Sequence, residues 1–164
     1  MSRKIKLTTT ACLVIAFLLY FLSSLNAEAQ EKPFAQPYIE LGTTVIHSEN
    51  SVGGAGLKFN DRWDVHIGLM GEGETRQHGY QEQKFFYSFS RVVNPGWRFL
   101  GGEIKTRIGV AYTPDFQLVG ERNYRLGLIF HYEIFDIEYF HYSSAGINDV
   151  NRGVDGFLVR AWLH

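Results

Sequence analysis

Three side chains near the C-terminus are of the types that acyl transfer requires: His141, Ser143 and, beyond the next loop, Asp155. A hydroxyl attacks a carbonyl carbon, an imidazole accepts its proton, and a carboxylate holds the imidazole in one tautomer and stabilises its charged form. Ala145 and Gly146, just past the serine, are small enough to let backbone N–H groups turn toward a developing oxyanion. Such chemistry calls for no metal and no cofactor. It does call for a scaffold that presents all three side chains on one face.

The scaffold is written in period-two alternation, the signature of half-buried strands. Eight stretches carry apolar residues on one parity: Ile39–Val45, Ala55–Phe59, Trp63–Leu69, Phe85–Phe89, Ile104–Tyr112, Tyr124–Tyr132, Phe135–Tyr139 and Phe157–Leu163. The other parity carries Glu40, Lys58, Asp64, His66, Ser88, Ser90, Lys105, Arg107, Arg125, His131, Asp136, Glu138 and Arg160. No stretch after the leader shows sustained helical periodicity. A charge-free face opposite a charged one is expected of a closed barrel with lipid outside and a packed polar network inside. The chain is therefore predicted to be all-β, an eight-stranded antiparallel up-and-down transmembrane β-barrel. In a barrel that small, side chains fill the interior. His66 and His131 are accordingly expected to join the internal network rather than to act as ligands.

Loop lengths agree with that prediction. Links near Asn60-Asp61, Asn94-Pro95-Gly96 and Glu133-Ile134 are short, whereas those at 47–51, 71–83, 113–123 and 144–154 are mostly longer. Outer-membrane barrels have short periplasmic turns and long outer loops. Trp63 and Trp97 then fall at the periplasmic rim, and Tyr87, Tyr112, Tyr124 and Tyr139 toward the outer one, as aromatic girdles do. Trp162 is on the interior parity, outside this pattern.

The first residues read as an address. Arg3, Lys4 and Lys6 precede an apolar run from Ala11 to Phe21, and Ala27-Glu28-Ala29 has the small-x-small pattern of a cleavage site. Residues 1–29 are expected to be a cleaved signal peptide and residues 30–164 a single barrel domain. The run is shorter than the ~20 residues of a spanning helix. Cleavage would remove Cys12, the only cysteine of the 164 residues. With 16 Lys+Arg against 17 Asp+Glu, nothing in the charge balance points to nucleic acid as a partner.

Placed on this scaffold, the three chemical residues share the outward parity. The seventh stretch continues Phe135, Ile137, Tyr139, His141, Ser143, and the eighth begins with Asp155 before Phe157 and Val159. From Phe135 to His141 the strand advances roughly 20 Å, or about 15 Å along the membrane normal at a ~40° tilt. The cluster is thus expected near the outer-leaflet boundary. Polar residues also cap strands there without any chemical role, so spacing alone leaves both readings open.

The segment His141-Tyr142-Ser143-Ser144-Ala145-Gly146-Ile147, followed by Asn151, Gly153 and Asp155, resembles the C-terminal signature of the lipid A 3-O-deacylase (PagL) family, His-x-Ser-Asn-Ala-Gly…Asn-x-Gly…Glu. That family comprises eight-stranded outer-membrane barrels that hydrolyse the acyl ester at position 3 of lipid A. The resemblance implies Ser143 as nucleophile, His141 as general base and Asp155 in the acid's place. It implies Ser144, Ala145, Gly146 and Asn151 as oxyanion or supporting groups, lipid A of lipopolysaccharide as substrate, and the cell outer membrane as location. Two positions depart from the signature. Asp155 is one methylene shorter than Glu, so the strands must approach more closely or the contact loosens. Ser144 replaces an Asn and offers fewer donors over a shorter reach.

Two other functions remain compatible with alternation: a non-enzymatic small barrel serving as adhesin or envelope stabiliser, and a lipocalin-like barrel with its apolar face turned inward. Monomer and homodimer are equally open.

Overall fold

The computed structural model describes residues 34–45, 48–75, 79–116, 118–147 and 153–163. The predicted leader lies outside the described residues. The strands are β1 (Ala35–Thr44), β2 (Ser51–Phe59), β3 (Trp63–Met70), β4 (Gly73–Thr75), β5 (Gly79–Gln81), β6 (Lys84–Phe99), β7 (Gly102–Tyr112), β8 (Arg122–Tyr132), β9 (Phe135–Ser143) and β10 (Val154–Trp162). Eight of them close an antiparallel barrel in the order β1-β10-β9-β8-β7-β6-β3-β2, while β4 and β5 form a separate hairpin within the loop after β3. Closure is made by β1 on β10, from Tyr38 opposite Trp162 to Thr44 opposite Gly156. It leaves the barrel without an edge strand.

The alternation resolves as the pattern demands. Leu57, Val65, Ile67, Phe89, Ile108, Val110, Leu126, Leu128 and Phe157 are exposed on the outside. Inside, the largest fully buried side chains are Arg107, Arg125 and Arg160. This orientation is the reverse of a lipocalin's and removes that alternative. Arg160 Nη2 donates to Glu40 Oε2 at 2.6 Å and to Glu138 Oε2 at 2.9 Å, and Arg107 Nη1 lies 2.6 Å from Asp64 Oδ1. Arg125 donates to Ser88 Oγ at 2.9 Å, and Tyr38 donates to Asp64 Oδ1 at 2.9 Å. Buried charges are tolerable only when paired in this way, since an unpartnered one forfeits its hydration for nothing. His66 and His131 belong to this network, through Glu40 at 2.9 Å and Asp136 at 2.6 Å. Trp162 turns inward because Arg160 and Lys58 stack on its indole, 5.7 and 4.9 Å from the ring centre, with Tyr38 at its edge.

Toward the long-loop end the interior becomes apolar. Val52, Met70, Phe86, Phe140, Tyr142 and Val154 meet Phe116, Leu118 and Val119, which the loop after β7 folds inward. Alternation says nothing of this cap, because those loop residues obey no strand period.

Short turns lie at one end of the barrel and long loops at the other. One turn differs from expectation. Asn94-Pro95-Gly96 does not reverse the chain: Gly96 N–H donates to Asn94 Oδ1 at 2.9 Å, and the register with β7 shifts between Val93 and Trp97. The segment is a β-bulge, which bends a strand and lets it continue. β6 runs on to Phe99, and the reversal falls at Leu100-Gly101. Leu100 has φ 47° and Gly101 φ 84°, the two positive dihedrals of a tight hairpin turn.

Candidate functional site

β9 leaves the short turn at Glu133-Ile134 and climbs toward the long-loop end, bringing Phe135, Ile137, Tyr139, His141 and Ser143 to the outside in turn. β10 descends beside it. The register puts Asp155 directly opposite His141, Gly156 opposite Phe140 and Phe157 opposite Tyr139. Side chains opposite one another on an antiparallel pair start about 5 Å apart at Cβ, so a short carboxylate suffices to reach the ring. His141 Nδ1 and Asp155 Oδ1 lie 2.9 Å apart. The direct register thus lets the shorter aspartate on β10 reach the ring.

Two backbone features support the pair. Val45 N–H donates to the Asp155 carbonyl at 2.9 Å, which ties the start of β10 to the end of β1. Gly153 has φ 70°, a conformation costly for residues with a Cβ, and a Cβ there would lie 2.8 Å from His141 Cε1. Glycine at this position lets the loop pass against the imidazole edge. That contact is a property of the folded loop and has no counterpart in the strand pattern.

Ser143 is the last residue of β9, half-exposed on the same face as His141 and roughly 7 Å further along the strand. Its Oγ accepts a hydrogen bond from Ala145 N–H at 3.2 Å. Ser144, Ala145, Gly146 and Ile147 form a tight turn closed by Ile147 N–H donating to Ser144 O at 2.9 Å, with φ 47° at Ala145 and 84° at Gly146. The turn therefore aims the Ala145 amide at the Ser143 hydroxyl oxygen. Ser144 is fully buried, unlike its exposed successors in the turn. Asn151 lies outside the described residues.

Asp155 and His141 are joined in this conformation, and Ser143 stands beside them on the same face. The histidine's only hydrogen bond among the described residues uses Nδ1. Nε2 is left without a partner among the described residues, and Ser143 lies two positions along the same face of the strand. Catalytic contacts are commonly longer in an unliganded site than in its complex.

Sequence reasoning missed Tyr139. It was assigned to the aromatic girdle, and its ring does face outward, but its hydroxyl donates to Asp155 Oδ1, the oxygen that also meets His141. Tyr139 and Asp155 are diagonal neighbours across the β9–β10 ladder, and long side chains span that separation. The parity it shares with His141 was visible beforehand. The diagonal was not, because it depends on register. Around the site, Tyr124 stands opposite Ser143 and Leu126 opposite His141 on β8, and both are exposed.

Compared with known proteins, the chain matches no family model, no curated protein and no solved structure.

Proposed function

We propose that this protein is an outer-membrane esterase that removes the 3-O-linked acyl chain from lipid A, with Ser143 as nucleophile, His141 as general base and Asp155 as the acid. The observation that carries this reading is the His141–Asp155 pair, 2.9 Å apart, on the apolar outer face of the barrel with Ser143 beside it. The pair stands out there among exposed leucines, valines and aromatics. An ester substrate whose acyl chains lie along a membrane would meet that face without leaving the lipid.

The chemistry follows from the groups in place. Asp155 accepts a hydrogen bond from His141 Nδ1–H and leaves Nε2 as the base. Ser143 Oγ attacks the ester carbonyl carbon as its proton passes to Nε2. The tetrahedral oxyanion collapses, the carbon–oxygen bond to the sugar breaks, and the imidazolium returns the proton to the departing sugar oxygen. Water then attacks the acyl-serine with the same histidine as base, releasing the fatty acid and restoring Ser143. The Ala145 amide, aimed at Oγ, lies close to where charge develops on the attacked carbon's oxygen.

The test is the lipid A mass profile of cells expressing the protein or its Ser143→Ala variant. Loss of one hydroxyacyl chain with the first and intact lipid A with the second is the expected result. Identical profiles in both would reject the esterase and leave a barrel of structural or adhesive function.

A further inference from the structure

We propose that Tyr139 is a positioning residue for the acid: its phenol clamps the Asp155 carboxylate so that the oxygen facing His141 stays in place. The inference rests on the esterase reading and deepens it.

Asp155 stands near the start of β10 with its side chain largely buried. Its terminal torsion is broad, and one hydrogen bond to a ring that is itself 34% exposed does not fix a carboxylate. A second donor on the same oxygen removes that freedom. Tyr139 donates to Oδ1 from one side while His141 Nδ1 approaches from the other. The phenol is pre-aimed, because its ring packs against Phe157, directly opposite on β10, at 5.5 Å between centroids and 57° between planes. Leu128 flanks it from β8. A tyrosine with only two side-chain torsions, its ring packed against Phe157, delivers its hydroxyl with small entropic loss. The arrangement also suits the short acid. Asp155 reaches His141 because it stands directly opposite, and at that position its carboxylate falls within the diagonal reach of Tyr139. A tyrosine serving only the membrane rim would turn its hydroxyl to water or headgroups. This one gives it to the acid, whose side chain is 10% exposed.

The experiment measures kcat and KM on purified lipid A bearing its 3-O-acyl chain in detergent micelles. Tyr139→Phe keeps the ring and its packing and removes only the donor. A drop in kcat of about ten- to a hundredfold with KM unchanged is expected, the effect of one hydrogen bond to a charged group. Tyr139→Phe added to Asp155→Ala should cost nothing further, since the clamp then has nothing to hold. A kcat within twofold of the unsubstituted protein would overturn the inference, as would an equal loss in the Asp155→Ala background, and either result would leave the esterase standing. No hydrolysis by the unsubstituted protein overturns the esterase and this inference together.

Discussion

Two acid–imidazole pairs in this molecule share a contact length of 2.9 Å and little else. His66 meets Glu40 inside the barrel, where both side chains are 0% exposed, and His141 meets Asp155 outside it. The inner histidine is hemmed in on both nitrogens, by Glu40 at Nε2 and by Arg125, which donates to Nδ1 at 3.3 Å. Its glutamate is also held by Arg160. No hydroxyl there meets a substrate, and every charge is spoken for by a neighbour. The outer histidine uses Nδ1 on Asp155 and lies on the same face as Ser143. The contact that looks catalytic is therefore common to both. Access, an uncommitted nitrogen and a neighbouring hydroxyl separate the outer pair from the inner one.

Four substitutions break or sharpen this contrast. Asp155→Asn keeps shape and removes the charge and the tautomer it selects, so kcat on lipid A should fall by about 10⁴ while the unfolding midpoint in detergent stays put. A midpoint shift comparable to that of an interior variant would make Asp155 a structural residue. Arg160→Ala should do the opposite. It removes the guanidinium that Glu40, Glu138 and Asp136 share inside the barrel and should cost about 3–5 kcal/mol in equilibrium urea unfolding, with activity per folded molecule retained. Leu128→Arg, mid-strand on the outer face, tests what surrounds the barrel. In lipid vesicles the loss should be about 2–4 kcal/mol if that face lies near the bilayer midplane, against within about 0.5 kcal/mol for a surface facing water. The mildest is His66→Ala, which leaves Glu40 one partner short and should cost about 1–3 kcal/mol, without changing kcat. Equal effects of His66→Ala and His141→Ala on kcat would erase the distinction between the two pairs.

Much of the architecture was legible in advance because a closed barrel repeats one rule. Each of the eight stretches became a strand with the expected face outward. The rule failed where the chain departs from strand periodicity. Asn94-Pro95-Gly96 carries turn residues, and residue type alone does not distinguish a bulge from a reversal; the pairing of Trp97 with Ile104 decided it. The apolar cap of Phe116, Leu118 and Val119 follows no period at all. At the site, His141 and Ser143 were placed on one face by parity. Tyr139 was read as a girdle residue because its nearness to Asp155 is a property of two strands.

The sequence by itself determined the number of barrel strands, the face their residues take and the segregation of charge from apolar surface, because side chains alternate strictly along an extended chain; the β4–β5 hairpin inside a long loop it did not reveal. What only the tertiary structure decided is which residues on different strands meet. Register between β9 and β10 is set by the whole closed ladder, and a slip of one residue would turn Asp155 to the other face. The pairing of Asp155 with His141, the clamp from Tyr139 and the passage of Gly153 against the imidazole all depend on that register.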